Sequence, residues 1–146
     1  MSMLRPEVTV VELNKRCGEN LPGIMGVEAL ELSEGTLTSR MVLKKIHFAP
    51  NGYLHAASVI ALADSTCGFA TMAHLPRGAF SFTTIELKSN HLGTVRDEGD
   101  VILCTATAQH LGGNTQVWDA VVSAEATGKK IALFRCTQMV LWPKKP

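Results

Sequence analysis

The chain has 146 residues, a length typical of one domain, and 46% of them are hydrophobic, with a mean hydropathy of +0.14. This is enough apolar material for a folded core, and it excludes a disordered chain. Fourteen Lys and Arg residues oppose 13 Asp and Glu residues, so the formal net charge is only +1. The chain therefore lacks the basic field that nucleic acids and anionic membranes bind.

The cysteine pattern is typical of a reducing compartment. The cysteines are too far apart in sequence to form a CxxC pair, and most lie in apolar segments, so we predict reduced core thiols. They are Cys17, Cys67, Cys104 and Cys136. Residues 1–20 carry charges throughout, unlike a signal peptide. The longest apolar stretch, residues 54–73, is interrupted by His55 and Asp64, which argues against a membrane span. We expect a cytoplasmic protein without a membrane partner.

One long helix and several strands are predicted in chain order. Residues 6–17 predict a short helix that is ended by the Gly- and Pro-containing segment 18–26. The strongest helix signal is residues 55–73, which contain six alanines and are apolar nearly all round, as in a helix buried on most sides. Strands are predicted at 29–32, 36–48, 80–88, 101–111, 116–126 and 131–142. Little else can cover the long helix, so the sheet should wrap around it in an α+β fold, a single domain of residues 1–146.

The start of the long helix resembles that of the hotdog-fold acyl-CoA thioesterases. Residues 51–57 read NGYLHAA, and Asp64 follows His55 by nine positions. Within that family, the phenylacetate-degradation type and its hydroxybenzoyl-CoA and dihydroxynaphthoyl-CoA relatives carry His-Gly-Gly at the helix start, with an acidic residue nine positions after the His. Residues 85–92 and 110–118 are similar to stretches that line the CoA groove of the family. The resemblance implies a hotdog fold, in which an antiparallel sheet wraps a long central helix.

Two departures from the family pattern lie near the helix start. The glycines of His-Gly-Gly are replaced by Ala56 and Ala57. The family places an Asn or Gln six residues before the His, where this chain has Ala49. The nearest amide side chain, Asn51, stands two residues too close, which leaves it a weak candidate.

Asp64 is the predicted catalytic residue. A carboxylate among apolar side chains is costly to bury, so it should be either hydrogen-bonded or used in chemistry. The residues alone leave both readings open, since Ser58, Ser65 and Thr66 offer neighbouring hydroxyls. The resemblance favours catalysis, with Asp64 as general base or nucleophile in thioester hydrolysis.

The other catalytic candidates surround the helix start and the strand that follows the helix. The amides of Ala56 and Ala57 are predicted to be free and to hold the thioester oxygen, because a helix N-terminus offers unpaired donors and a positive dipole end. We expect His55 to set the helix end without moving protons. Thr84 matches a region where relatives orient water with Ser or Thr, although an ordinary strand threonine fits equally well. Asn51 completes the candidate set.

The resemblance also implies contacts with CoA, for which five residues are candidates. They are His91, Arg96, His110, Gly112 and Gly113. Relatives often carry an arginine where this chain has Gly93, and Arg96 is the nearest substitute. The histidines show no metal-ligand spacing, so we predict no metal, and no cofactor is expected.

Helix geometry predicts that two chains share each active site. Ala56 and Asp64 are eight residues apart, about 12 Å along a helix axis, whereas reacting atoms sit about 3–3.5 Å apart. One thioester carbonyl therefore cannot contact both residues on the same helix. We expect a homodimer that assembles further into a tetramer, consistent with the shared sites of family dimers.

The sequence thus predicts an acyl-CoA thioesterase that forms a free acid and CoA, with no indication of which acyl group. Two other functions stay open. A hotdog hydratase or dehydratase would act on enoyl or hydroxyacyl thioesters, but the Asp and His spacing typical of those relatives is not found. A non-catalytic acyl-CoA-binding module is favoured by the Ala-Ala replacement and the missing arginine.

Overall fold

The computed structural model describes residues 1–144 and contains three α-helices and six strands in that range; the last two residues of the predicted domain lie outside it. The helices are α1 (Val10–Cys17), α2 (Leu21–Met25) and α3 (Ala56–Ala73). The strands are β1 (Val27–Ser33), β2 (Thr36–Val42), β3 (Ser81–His91), β4 (Val101–Leu111), β5 (Thr115–Ala124) and β6 (Lys130–Leu141). A 3₁₀ turn, Lys45–His47, lies between β2 and α3.

The six strands form one antiparallel sheet in the order β1-β2-β4-β5-β6-β3. The long helix separates β2 and β3 along the chain, and β3 joins the sheet on the far side, next to β6. This leaves β1 and β3 as the two edge strands. The 11-residue β3 is long for an edge, and edges of this kind are normally protected by other structure.

The sheet wraps around α3, which packs against all six strands. The helix buries residues on several sides, among them Leu62, Ala63 and Phe69. The centre of the core includes Trp118 on β5, which has no exposed surface. Among residues 1–144, α3 is long and apolar enough to cross a membrane, but 61% of it is buried inside the fold. Its hydrophobicity is therefore explained by the sheet that covers it.

The two ends of α3 lie at opposite ends of the sheet. The residue that follows the helix, His74, accepts a hydrogen bond from the Gly35 amide in the β1–β2 turn and receives one at its carbonyl from Gln116 on β5. Tyr53, two residues before the N-cap, contacts Arg96 in the β3–β4 connection. That connection and the β1–β2 turn lie at opposite ends of the strands, so the helix spans the whole length of the sheet.

The structure corrects the predicted N-terminal half in three places. Helix α1 starts at Val10, because the side chain of Thr9 accepts a hydrogen bond from the Glu12 amide and caps the helix there. The segment predicted only to end that helix contains α2, with Pro22 in its first turn and Gly26 in the left-handed region (φ +83°) at its end. The strand predicted over 36–48 ends at Val42, because the next residues form the 3₁₀ turn. All four cysteines are free and buried, which confirms their prediction as core thiols.

Leu62→Ala is expected to lower the free energy of unfolding by about 2–5 kcal/mol, because Leu62 is fully buried between α3 and the sheet and its loss leaves a cavity. Val11→Ala is the control, since Val11 on α1 is 74% exposed and should cost less than about 0.5 kcal/mol. Urea denaturation at one protein concentration measures both. Equal losses in the two variants would contradict the packing described.

Candidate active site

Asp64 is a carboxylate of α3 that the fold leaves incompletely satisfied. The residue is half-buried, and its Oδ1 atom is buried with no hydrogen-bond partner among residues 1–144. The neighbouring hydroxyls do not supply one: Ser58 donates to the His47 carbonyl at 2.8 Å, and Thr66 donates to the Leu62 carbonyl at 2.7 Å. Burial raises the pKa of the Asp64 carboxyl above its ordinary value, and a hydrogen bond from the nearby Thr84 hydroxyl would lower it.

The proton of the Thr84 hydroxyl faces two acceptors, Asp64 and Gln138. Thr84 on β3 pairs directly with Gln138 on β6, so both side chains lie on the helix side of the sheet. The hydroxyl donates to Gln138 Oε1 at 2.8 Å. Because a hydroxyl carries a single proton and Asp64 Oδ1 is left without a donor, we assign this proton to Gln138.

The N-terminus of α3 is exposed and presents one unpaired amide. His55 is the N-cap residue, and its Nδ1 accepts a hydrogen bond from the Ala57 amide at 2.9 Å. The amides of Ser58 and Val59 bond to the His55 carbonyl. Among the residues described, this leaves Ala56 as the donor without a partner at this helix end. The expectation that both amides are free is therefore wrong for Ala57, because the His55 ring occupies it.

The same hydrogen bond fixes the tautomer of neutral His55. Since Nδ1 accepts, the ring proton must be on Nε2. The His55 side chain is exposed at the helix end. Neutral His55 therefore caps the helix with one nitrogen and has an N–H donor on the other.

Asn51, in contrast, is a turn residue. Its Oδ1 accepts a hydrogen bond from the Tyr53 amide two residues later, at 3.3 Å. The side chain is exposed and is used within its own turn. The geometry gives Asn51 the role of shaping the approach to α3.

A basic, open groove lies beside this turn. Arg96 stacks on the ring of Tyr53, with the guanidinium carbon 4.7 Å from the ring centre, and donates to the Tyr53 hydroxyl at 3.1 Å. The groove has a volume of about 440 Å³. It is lined by Lys45, Phe48, Ala49, Pro50, Gly52, Arg96 and Glu98. Two cations and one carboxylate thus surround a space next to the helix N-terminus.

The five predicted CoA contacts fall into two separate groups within one chain. His91, at the end of β3, and Arg96 lie at the sheet end that carries the N-terminus of α3. The other three lie in the β4–β5 hairpin at the opposite end: His110, Gly112 and Gly113. A Cβ at Gly112 would lie 2.5 Å from His110 Nε2 and 2.9 Å from the Thr115 carbonyl, so Gly112 is required by its own hairpin.

Sequence reasoning missed Gln138 and Tyr53, which contact predicted site residues. Gln138 lies in a strand pattern with no motif around it, and only its pairing with Thr84 reveals it. Tyr53 stands inside the resembling motif, but its contact with Arg96 joins segments 43 residues apart. Within residues 1–144 no group of three or more His, Cys, Asp or Glu side chains could hold a metal ion.

Comparisons with known proteins identify relatives of this chain. Residues 51–131 match the thioesterase superfamily. A 1,4-dihydroxy-2-naphthoyl-CoA hydrolase of Listeria monocytogenes is 29% identical over 83% of this chain and 95% of its own length. The crystal structure of a mutant thioesterase from Pseudomonas aeruginosa matches with a TM-score of 0.88 and 26% identity, covering 96% of this chain and 99% of that one. A thioesterase from Haemophilus influenzae gives a TM-score of 0.86 and 27% identity, over 95% and 94%. These similarities confirm the predicted hotdog fold.

Asp64→Asn is expected to raise the free energy of unfolding near neutral pH. Because folding raises the pKa of this carboxyl, its charge costs stability above the raised value, and the cost disappears as pH falls through that value and the native carboxyl is protonated. The gain should be on the order of 1 kcal/mol at neutral pH and should vanish near about pH 3, where the unfolded carboxyl is also protonated.

Urea denaturation across this pH range measures the effect. Asp97→Asn, at an exposed loop position, is the control and should change stability little at either pH. A loss of stability in Asp64→Asn at neutral pH would show that the carboxylate is satisfied in the native state.

Proposed function

The chain belongs to the thioesterase superfamily and is a thioester hydrolase, and we propose that it hydrolyses acyl-CoA with Asp64 as the catalytic carboxylate. The observation that carries this proposal is the half-buried Asp64, whose inner oxygen lacks a partner in the described part of the chain and whose pKa is raised by burial. A carboxylate with a raised pKa accepts a proton from water more readily than an ordinary one. Such a group costs stability, which is typical of a functional site.

Asp64 Oδ2 activates the attacking water. The carboxylate takes one proton from water, the water oxygen bonds to the thioester carbon, and the carbonyl oxygen gains the charge. When the tetrahedral intermediate collapses, the carbon–sulfur bond breaks, and the leaving CoA thiolate takes the proton that Asp64 had accepted, which restores the carboxylate. The same carboxylate oxygen would attack the carbonyl carbon if the reaction passed through a mixed anhydride.

The N-terminus of α3 stabilises the charge on the carbonyl oxygen. The Ala56 amide is the unpaired donor there, at the positive end of the helix dipole. The Nε2–H of His55 is exposed beside it and can supply a second donor. Ala57 supports the site indirectly, since its amide holds the His55 ring in place.

A homodimer formed through β3 brings these groups together. β3 is an edge strand, and Ile85 and Leu87 on it are 51% and 44% exposed. Leu87 pairs with the buried Cys136, so its side chain lies on the helix side of the sheet and yet is uncovered. Antiparallel pairing of two β3 strands would cover these side chains and continue the sheet.

Antiparallel pairing also brings the helix N-terminus of one chain toward the Asp64 region of its partner. It sets the α3 N-terminus of one chain beside the sheet end of its partner where β3 begins. Thr84, which lies next to Asp64, is the fourth residue of β3 from that end. The same pairing places His91 and Arg96 of one chain on the same side as the partner's β4–β5 hairpin. The two separated groups of predicted CoA contacts can then flank one elongated ligand.

The Arg96 groove fits the anionic part of acyl-CoA. Arg96 and Lys45 line it beside the helix N-terminus, and Arg96 is held in place by Tyr53. Guanidinium and ammonium groups are the usual ligands of phosphates. The carbonyl would lie at Ala56 while the phosphates extend toward this groove.

Asp64→Asn is expected to reduce kcat by about 10²–10⁴-fold, because the amide cannot accept the proton of water. Release of CoA thiol from a panel of short, long and aromatic acyl-CoAs measures the loss, with Asp97→Asn as the control that retains full activity. Near-full hydrolysis by Asp64→Asn would remove Asp64 from the mechanism. Tight acyl-CoA binding by the unaltered protein without thiol release would favour the binding module.

Ala56→Pro is expected to reduce kcat by about 10²–10³-fold, because proline removes the one unpaired amide hydrogen. The helix should survive, since Ala56 is its first residue, where proline is favoured, and His55 has the extended backbone (φ −69°, ψ 133°) that proline requires before it. Ala56→Gly keeps the amide and is the matched control. Equal rates for the two variants would exclude the amide as the oxyanion donor.

Mixing the two inactive variants tests the shared site. In a heterodimer of Asp64→Asn and Ala56→Pro, one site combines both defects and the other is intact. Co-refolding equal amounts should restore about a quarter of the unaltered rate, because half of the dimers are mixed and each has one intact site. No recovery, in a mixture shown to contain heterodimers, would place both groups of a site on one chain.

A further inference from the structure

The Thr84 hydroxyl has two possible acceptors, Asp64 and Gln138. The Thr84 hydroxyl lies beside Asp64 and donates its single proton to Gln138 Oε1 at 2.8 Å. Among the residues that the structure describes, Asp64 Oδ1 is buried without a donor. The two acceptors compete for one proton, which we assign to the hydrogen bond with the Gln138 amide oxygen.

The surroundings of Gln138 explain why its oxygen holds this proton. Gln138 has no exposed surface, so water cannot satisfy its amide oxygen. Its Nε2 donates to the Cys136 sulfur, at 3.4 Å. The neighbouring amide of Gln116 is already committed, donating to the His74 carbonyl and accepting from the Trp118 ring nitrogen. Among residues 1–144, Thr84 is the one residue that donates a hydrogen bond to Gln138 Oε1.

We propose that Gln138 is a positioning residue of the active site, whose amide oxygen draws the Thr84 proton away from the Asp64 carboxylate. The inference rests on the proposed function of Asp64 and specifies how its basicity is set. A carboxylate without a donor is a stronger base than one that accepts a hydroxyl hydrogen bond. In the proposed site, Gln138 therefore keeps the Asp64 carboxylate free to accept the proton of water.

Within the described part of one chain, the titratable groups nearest Asp64 do not obscure a change in its pKa. They are thiols: Cys67 on α3, with Cys136 on β6 and Cys104 on β4 beyond it. The hydrogen bond with Cys136 and burial raise the pKa of Cys67 well above its ordinary value, and burial raises the pKa of Cys104 to about 12. Both thiols are neutral in the range where a carboxyl titrates. Within one chain, these thiols therefore do not mask the titration of Asp64.

The test is Gln138→Met, which keeps a long unbranched side chain and removes the amide. The freed Thr84 proton should turn to Asp64 and lower its pKa, so the acid limb of kcat/KM should move down by about one pH unit. Starting from Thr84→Val, which lacks the hydroxyl, the same Gln138 substitution should produce no shift. ¹³C NMR of the Asp64 carboxyl, assigned by its absence in Asp64→Asn, measures the same pKa without substrate.

An upward shift in Gln138→Met would overturn the proposal, because it would mean that the amide is reversed and that Thr84 already donates to Asp64. An unchanged limb, or a shift of equal size in the Thr84→Val background, would also overturn it. If Gln138→Met fails to fold, Thr84→Val alone decides: it should leave the Asp64 pKa nearly unchanged, and a rise of about one unit would contradict the assignment. Loss of activity in Asp64→Asn without these shifts would refute only the role of Gln138.

Discussion

An 18-residue helix that is apolar on nearly every side is stable in water only if other structure covers it, and α3 imposes this requirement on the rest of the chain. All six strands pack against it, and the return of the chain to β3 on the far side of β6 completes the wrapping. Because the helix spans the length of the sheet, its two ends face different surroundings. The N-terminus opens at the Arg96 end, and the C-terminus is tied to Gly35 and Gln116.

Asp64 is the one acidic residue within α3, and it lies close to the edge strand β3. Several energetically unfavourable features occur at this strand. The two buried polar atoms without partners among the residues described are Asp64 Oδ1 and Ser89 Oγ. Asp64 lies beside Thr84 on β3, and Ser89 is itself a β3 residue that pairs with the buried Phe134. The same strand exposes Ile85 and Leu87. Polar atoms without hydrogen bonds and exposed apolar side chains therefore occur together at an unpaired edge of the sheet. This combination is expected of a surface that pairs with a second chain, as in the proposed dimer.

The sequence was informative wherever a local pattern determines the structure. The composition of residues 55–73 predicted α3 and its burial, and the spacing of His55 and Asp64 predicted the two regions of the helix that we propose to be functional. Contacts between segments far apart in the chain could not be predicted from the sequence. The tautomer of His55 depends on the direction of one ring, and this decides that Ala56 and not Ala57 has the unpaired amide. Gln138 reaches the site only through its register with Thr84, 54 residues away, and no spacing in the sequence encodes that pairing.

The separation of Ala56 from Asp64 has a further consequence for how such a site can change. Two groups on one rigid helix cannot be brought closer by side-chain motion, since about 12 Å of axis lies between them. Only the relation between two chains sets the distance from one chain's carboxylate to the other's helix end. In the proposed dimer the pairing register of β3 therefore controls the geometry of the site as directly as any side chain does, and a slip of one residue would move the groups by about 3.3 Å and turn each β3 side chain to the opposite face. The bulge between Thr84 and Glu86 lies on this strand, next to the threonine that touches Asp64. A bulge bends the strand locally and aims the side chains beside it, so it fixes Thr84 toward the helix while the remainder of β3 stays free to pair.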